Sequence, residues 1–90
     1  MITVWKYELK PADSQTIELP RWHEFLTVQI QNNHICLWVK VDTTYENAPV
    51  RIFIVGTGTT ATETHGMHYI GTVQMMSSML VLHVFGEVTK

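Results

Sequence analysis

Between Gly56 and His68 the chain reads GTGTTATETHGMH, and no other stretch gathers as many groups able to do chemistry. Five threonine hydroxyls, the Glu63 carboxylate and the imidazoles of His65 and His68 fall within thirteen residues. Gly56 and Gly58 permit positive φ and a close approach of backbone to a ligand. Amides and hydroxyls together, from Thr59 and Thr60 in particular, suit a small anionic or sugar-bearing molecule. The stretch is not a phosphate loop: the Lys of GxxxxGKS/T is missing, and no helix follows to offer its N-terminus.

His65 and His68 form an HxxH pair with Glu63 just before it, the superficial outline of a metal site. Imidazoles three residues apart on a strand or loop need not converge, and Cys36 is the chain's one thiol, so neither a metal nor a cofactor is expected. Cys36 lies mid-strand in HICLWV with no base beside it and reads as a strand residue. Ser14, Ser77 and Ser78 fall in turns, there is no Gly-x-Ser-x-Gly, and the carboxylates are dispersed. No catalytic residue is assigned, and nothing in the sequence requires an enzyme. Arg51 and Arg21 are the two guanidiniums that could pair an anion. Trp22, between Arg21 and His23, and Tyr69 are the aromatics expected to offer a flat wall to a ligand. His83 is expected to pack or face solvent on its strand.

The elements that must carry these groups are strands. In Val4-Trp5-Lys6-Tyr7-Glu8-Leu9 one face holds Trp5, Tyr7 and Leu9 and the other Lys6 and Glu8, a half-buried strand. Pro11 to Ser14 turns the chain, and Gln15 to Leu19 predicts a short strand with Ile17 and Leu19 inward, ended by Pro20. A hairpin then places Leu26, Val28 and Ile30 on one face, with Ile35, Leu37, Val39 and Val41 returning. A polar run from Asp42 to Pro49 precedes a strand from Val50 to Val55. After the Gly56–Gly66 stretch a second hairpin sets Tyr69, Gly71, Val73 and Met75 against Leu80, Leu82 and Val84. No segment keeps a helical period with caps, so the pattern predicts about seven strands in a small antiparallel β-sandwich or open barrel, all in one domain over residues 1–90.

The two hairpins resemble one another. TVQIQNNHICLWV from Thr27 lies on TVQMMSSMLVLHV from Thr72 at a constant offset of 45, half of the 90 residues. Thr27/Thr72, Val28/Val73, Gln29/Gln74, Leu37/Leu82 and Val39/Val84 match, and Asn32-Asn33 falls on Ser77-Ser78 at the turn. Two related hairpin halves are the simplest origin.

Composition narrows the partners. The chain is 46% hydrophobic and only 16% charged, more apolar than a small sandwich easily hides, so association with a second copy, as a homodimer or higher oligomer, is expected. The net charge is -2 and the basic residues are scattered, which disfavours extended nucleic acid but not a small nucleotide-like ligand. No apolar run reaches membrane-spanning length, and MITVWKYELK lacks a signal-peptide core, so no membrane association is expected and the compartment is the cytoplasm.

The ordered blocks VWKY, QTIELP, LTVQIQN, LWV, IVGTGT, YIGTVQ and LHVFGEV, starting at Val4, Gln15, Leu26, Leu37, Ile54, Tyr69 and Leu82, resemble the pattern of an uncharacterised family of short proteins encoded by bacteriophages and prophages. The resemblance spans nearly the whole chain and departs mainly between Thr59 and His68. It implies a phage accessory protein acting in the cytoplasm of the infected bacterial host, and it brings no catalytic motif. The expectation is a non-enzymatic, oligomeric β domain that binds, and by binding sequesters, a small host molecule such as a nucleotide-derived immune signal in pockets of the oligomer, countering host defence. The alternatives are an inhibitor or adaptor acting through a strand edge, a minor virion component, and an enzyme working through His65, His68 and Glu63.

Overall fold

A computed structural model describes residues 1–88 and shows seven strands in two antiparallel sheets. They are β1 (Ile2–Leu9), β2 (Ser14–Pro20), β3 (His23–Gln31), β4 (His34–Asp42), β5 (Asn47–Gly56), β6 (His68–Met75) and β7 (Leu80–Gly86). One sheet has the order β1-β4-β3, the other β2-β5-β7-β6. Their inner faces meet over a core of Leu9, Leu19, Val28, Ile35, Leu37, Val39, Val41, Val50, Ile52, Ile54, Val73 and Val84, all of them aliphatic. β-branched and leucine side chains at every second position supply it, as the two-residue period of a strand requires. Among the described residues no helix is long and apolar enough to cross a membrane.

The halves share a topology. β1 followed by the β3–β4 hairpin gives the order β1-β4-β3, and β5 followed by the β6–β7 hairpin gives β5-β7-β6. The hairpin registers agree: Val28 faces Leu37 as Val73 faces Leu82, and Ile30 faces Ile35 as Met75 faces Leu80. Each first strand carries a bulge, between Phe25 and Thr27 in one and between Tyr69 and Gly71 in the other. Asn32 and Asn33 have φ of 52° and 66°, and Ser77 and Ser78 have 56° and 70°, the left-handed pair that closes a tight hairpin with the twist of its strands. β2 breaks the symmetry, being an additional strand on the outer edge of β5.

Two inward faces differ from the sequence reading. The bulge at Leu26 takes one residue out of the alternation, so Leu26 is 44% exposed while Phe25 turns inward with Val28. Trp5 shares its face with Tyr7 and Leu9 but lies at the outer edge, where it remains 37% exposed. β5 begins earlier than the polar run allows: Ala48 and Val50 already point inward, and Pro49 is tolerated because β7 pairs only from Ile52 onward. Tyr7 ties the layers together, its hydroxyl donating to the Glu18 carbonyl at 3.2 Å, and burial raises its phenol above the ordinary value.

Candidate functional site

β5 and β6 are both antiparallel to β7 and therefore parallel to each other, with β7 between them. Their connection, residues 57–67, must pass from the Gly56 end of the sheet to the His68 end, across β7. It is well bonded locally. The Thr59 amide and hydroxyl both donate to the Gly56 carbonyl, at 3.1 and 2.7 Å, and the Thr64 amide and hydroxyl donate to Ala61, at 3.0 and 2.7 Å. A single 3-10 turn, Thr62–Thr64, and positive φ at Gly58 (85°) and Gly66 (79°) complete the path. Three of the five threonines are thus occupied in shaping the connection: Thr59, Thr64 and Thr57, the last through His83.

Between the connection, the end of β5 and the bend before β2 lies a cleft of about 330 Å³. Phe53 and Val55 form its apolar side, Gly56, Thr59, Thr60 and Thr64 one wall, and Asp13 and Ser14 the other. The Ile54 amide donates to the Asp13 carbonyl at 2.9 Å, which fixes that bend against β5. Asp13 and Glu63 are the charged residues of the lining, and no Lys, Arg or His is among them. A cleft rich in acceptors and without a cation favours a neutral or cationic guest that donates hydrogen bonds, not an anion.

A second, smaller cleft of about 200 Å³ is lined by Val55, Gly56, Thr57, Gly58, Thr59, Ala61, His83 and Phe85. Here His83 is held at both ring nitrogens: Nε2 lies 2.7 Å from the Thr57 hydroxyl and Nδ1 2.9 Å from that of Thr72, which in turn lies 2.5 Å from the Tyr69 hydroxyl. Each contact joins two groups that can donate or accept, so the row satisfies itself for either tautomer of His83. It fastens the start of the connection to the face of the sheet.

The expected site residues do not all converge. Gly56, Thr59, Thr60 and Glu63 line the larger cleft, and Gly58 the smaller one. Tyr69 packs edge-on against Phe85, with ring centroids 5.5 Å apart, and joins the His83 row. Arg51 lies just beyond the cleft, its guanidinium 5.7 Å from the Phe53 ring centre and its Nε 3.2 Å from the Glu87 carboxylate. His68 stacks on Phe25 at 5.9 Å and lines a different depression with His23, Glu24 and Glu87. His65 is exposed and lines neither cleft. Trp22 sits where Arg21 bonds Glu46, at the start of β5, roughly 25 Å along the strand from Ile54 by the rise per residue, so it cannot wall the cleft. Glu63, His65 and His68 share no cleft, and among the described residues no three His, Cys, Asp or Glu side chains converge as metal ligands would. Asp13, Ser14, Phe53, Thr72 and His83 were not legible as site residues, and Thr57 was legible only as one hydroxyl of the 56–68 stretch. For Phe53 and His83 the one available signal was their outward place in the strand alternation, opposite Phe85 and Val55.

No curated protein and no solved structure matches the chain. The family model described as a domain of unknown function, DUF7352, matches residues 1–90, and the chain belongs to that family.

Proposed function

We propose that this protein is a non-enzymatic binding domain that holds a small, donor-rich polar molecule in the cleft between the 57–67 connection and the β5 end of the sheet. The observation that carries this reading is the lining: an apolar side at Phe53 and Val55, hydroxyls at Ser14 and Thr60, and the carboxylates of Asp13 and Glu63. An aromatic edge with acceptors around it suits a sugar or nucleoside moiety, whose apolar ring face packs while its hydroxyl or amino groups donate. The phosphates of a nucleotide would have to lie outside, toward Arg51, whose charge is already shared with Glu87. In the phage setting implied by the sequence resemblance, holding such a host molecule without converting it would act by sequestration. That role needs affinity and abundance but no catalytic group.

The test is calorimetric titration with adenosine, its 5′-phosphate, ribose and spermidine, using the unaltered protein and the Asp13→Asn/Glu63→Gln variant. The reading expects a donor-rich neutral or cationic probe to bind, and the variant to lose roughly tenfold or more in affinity, as loss of charged hydrogen-bond acceptors implies. A stronger response to the phosphate than to the nucleoside, or binding indifferent to the variant, would overturn it.

A further inference from the structure

Sheet β1-β4-β3 is one strand shorter than its counterpart, and the internal symmetry shows which strand it lacks. β1 occupies the place in its half that β5 occupies in the other, and β5 carries β2, antiparallel, on its outer edge. The equivalent edge of β1 pairs with no strand among the described residues. It is eight residues long, contains no proline and no bulge, and its amide and carbonyl groups on that side are available to a further strand. Lys6, the residue of β1 best suited to guard an edge, leans away across β4 to the Gln31 amide oxygen at 2.8 Å. Beside the edge, Ile2 is 60%, Val4 50% and Trp5 37% exposed, more apolar surface than an edge held in water requires.

We infer that β1 pairs antiparallel with β1 of a second copy of this chain, in the register that places Tyr7 opposite Tyr7 of the other copy. The strand's own charges select that register. Lys6 and Glu8 are two residues apart on the outer face, both exposed. Within their own chain they rest on weak polar partners, Lys6 on the Gln31 amide oxygen and Glu8 on the His34 ring at 3.2 Å, which each would exchange for the other copy's opposite charge. A two-fold axis at Tyr7 brings each Lys6 opposite the other copy's Glu8, twice over, whereas an axis at Lys6 would set two ammonium groups face to face. An axis at Trp5 would leave both charges opposite Val4 or Ile2. In the chosen register Trp5 lies opposite Leu9 of the other copy on the inner face, extending the row that Trp5 and Tyr7 already form at 6.4 Å. The two three-stranded sheets become one of six, and both free β1 edges are consumed, so the assembly closes as a dimer.

Sedimentation equilibrium of the full chain, alone and as Lys6→Glu, Glu8→Lys and Lys6→Glu/Glu8→Lys, tests this. The unaltered protein is expected at twice the chain mass. Each single reversal sets like charges opposite one another at two positions and should raise the dimer dissociation constant roughly tenfold or more, and the double reversal should restore it to within about threefold. Both side chains are exposed, so circular dichroism should show all four proteins folded. A monomer at high concentration, a dimer indifferent to the single reversals, or a double reversal as weak as the singles would each overturn the inference.

Discussion

Gly71 of β6 lies against Val28 of β3 so closely that a Cβ on the glycine would stand 2.9 Å from Val28 Cγ1. The same seam holds Gly86, where a Cβ would meet the Phe25 ring at 2.6 Å. At these two points β3 lies against β6 and β7 of the other sheet, and both hairpin bulges lie beside them. Bulges sharpen local twist, and both fall where β3 and β6 come into contact.

Gly86→Ala should therefore destabilise the fold by about 1–3 kcal/mol, since the Phe25 ring would have to leave its place in a packed layer. Gly71→Ala should cost a similar amount. Urea denaturation with an unchanged slope checks both, and a neutral Gly86→Ala would show the seam to be looser than described.

The hairpins are equivalent in register but not at every depth. Val28 and Val73 are 4% and 5% exposed, so truncating either to alanine should cost about 1–3 kcal/mol. Leu37 is fully buried whereas Leu82 is half-buried, so Leu37→Ala should cost about 2–5 kcal/mol and Leu82→Ala clearly less. Thermal unfolding of the four variants orders them.

Asp42 gives the fold an acid limit. Hydrogen bonds from the Thr44 hydroxyl and amide, with a smaller contribution from the N-terminal ammonium group, hold its carboxyl below the ordinary carboxylate value. A carboxylate with a depressed folded-state pKa stabilises above its unfolded value, and that contribution is lost as pH falls from there through the lower folded value. Stability measured from neutral pH into the acid range should fall less steeply in Asp42→Asn than in the unaltered protein. Identical acid limbs would show that the Asp42–Thr44 turn does not contribute.

Arg51 and His68 lie outside the larger cleft. Arg51→Ala removes an ion pair whose partners are 58% and 33% exposed, worth at most about 1 kcal/mol. The double variant Arg51→Ala/His68→Ala should stay folded and bind adenosine within about threefold of the unaltered protein, because neither side chain supplies an acceptor to the guest. A larger loss by titration would move the site toward Phe25 and Glu87.

Alternation at every second residue was enough to give the all-β class, the number of strands and the inward row Ile35, Leu37, Val39 and Val41, because a strand's side-chain period is a local property of the backbone. The turn pairs Asn32-Asn33 and Ser77-Ser78 were legible for the same reason, since left-handed backbone is a demand on individual residues. What lies between distant segments was not. The bulge that exposes Leu26 depends on which strand lies opposite, and the seam of Gly71 and Gly86 exists only because Val28 and Phe25 arrive there from another sheet. The threonine-rich stretch was legible as a crossing segment with hydroxyls, but its floor, Phe53 and Val55, and its facing wall, Asp13 and Ser14, come from strand pairing across dozens of residues. Sequence spacing fixes which groups are near along the chain. Sheet order decided that Glu63 would line one cleft with Asp13 and not with His68, and so gave that cleft its two carboxylates.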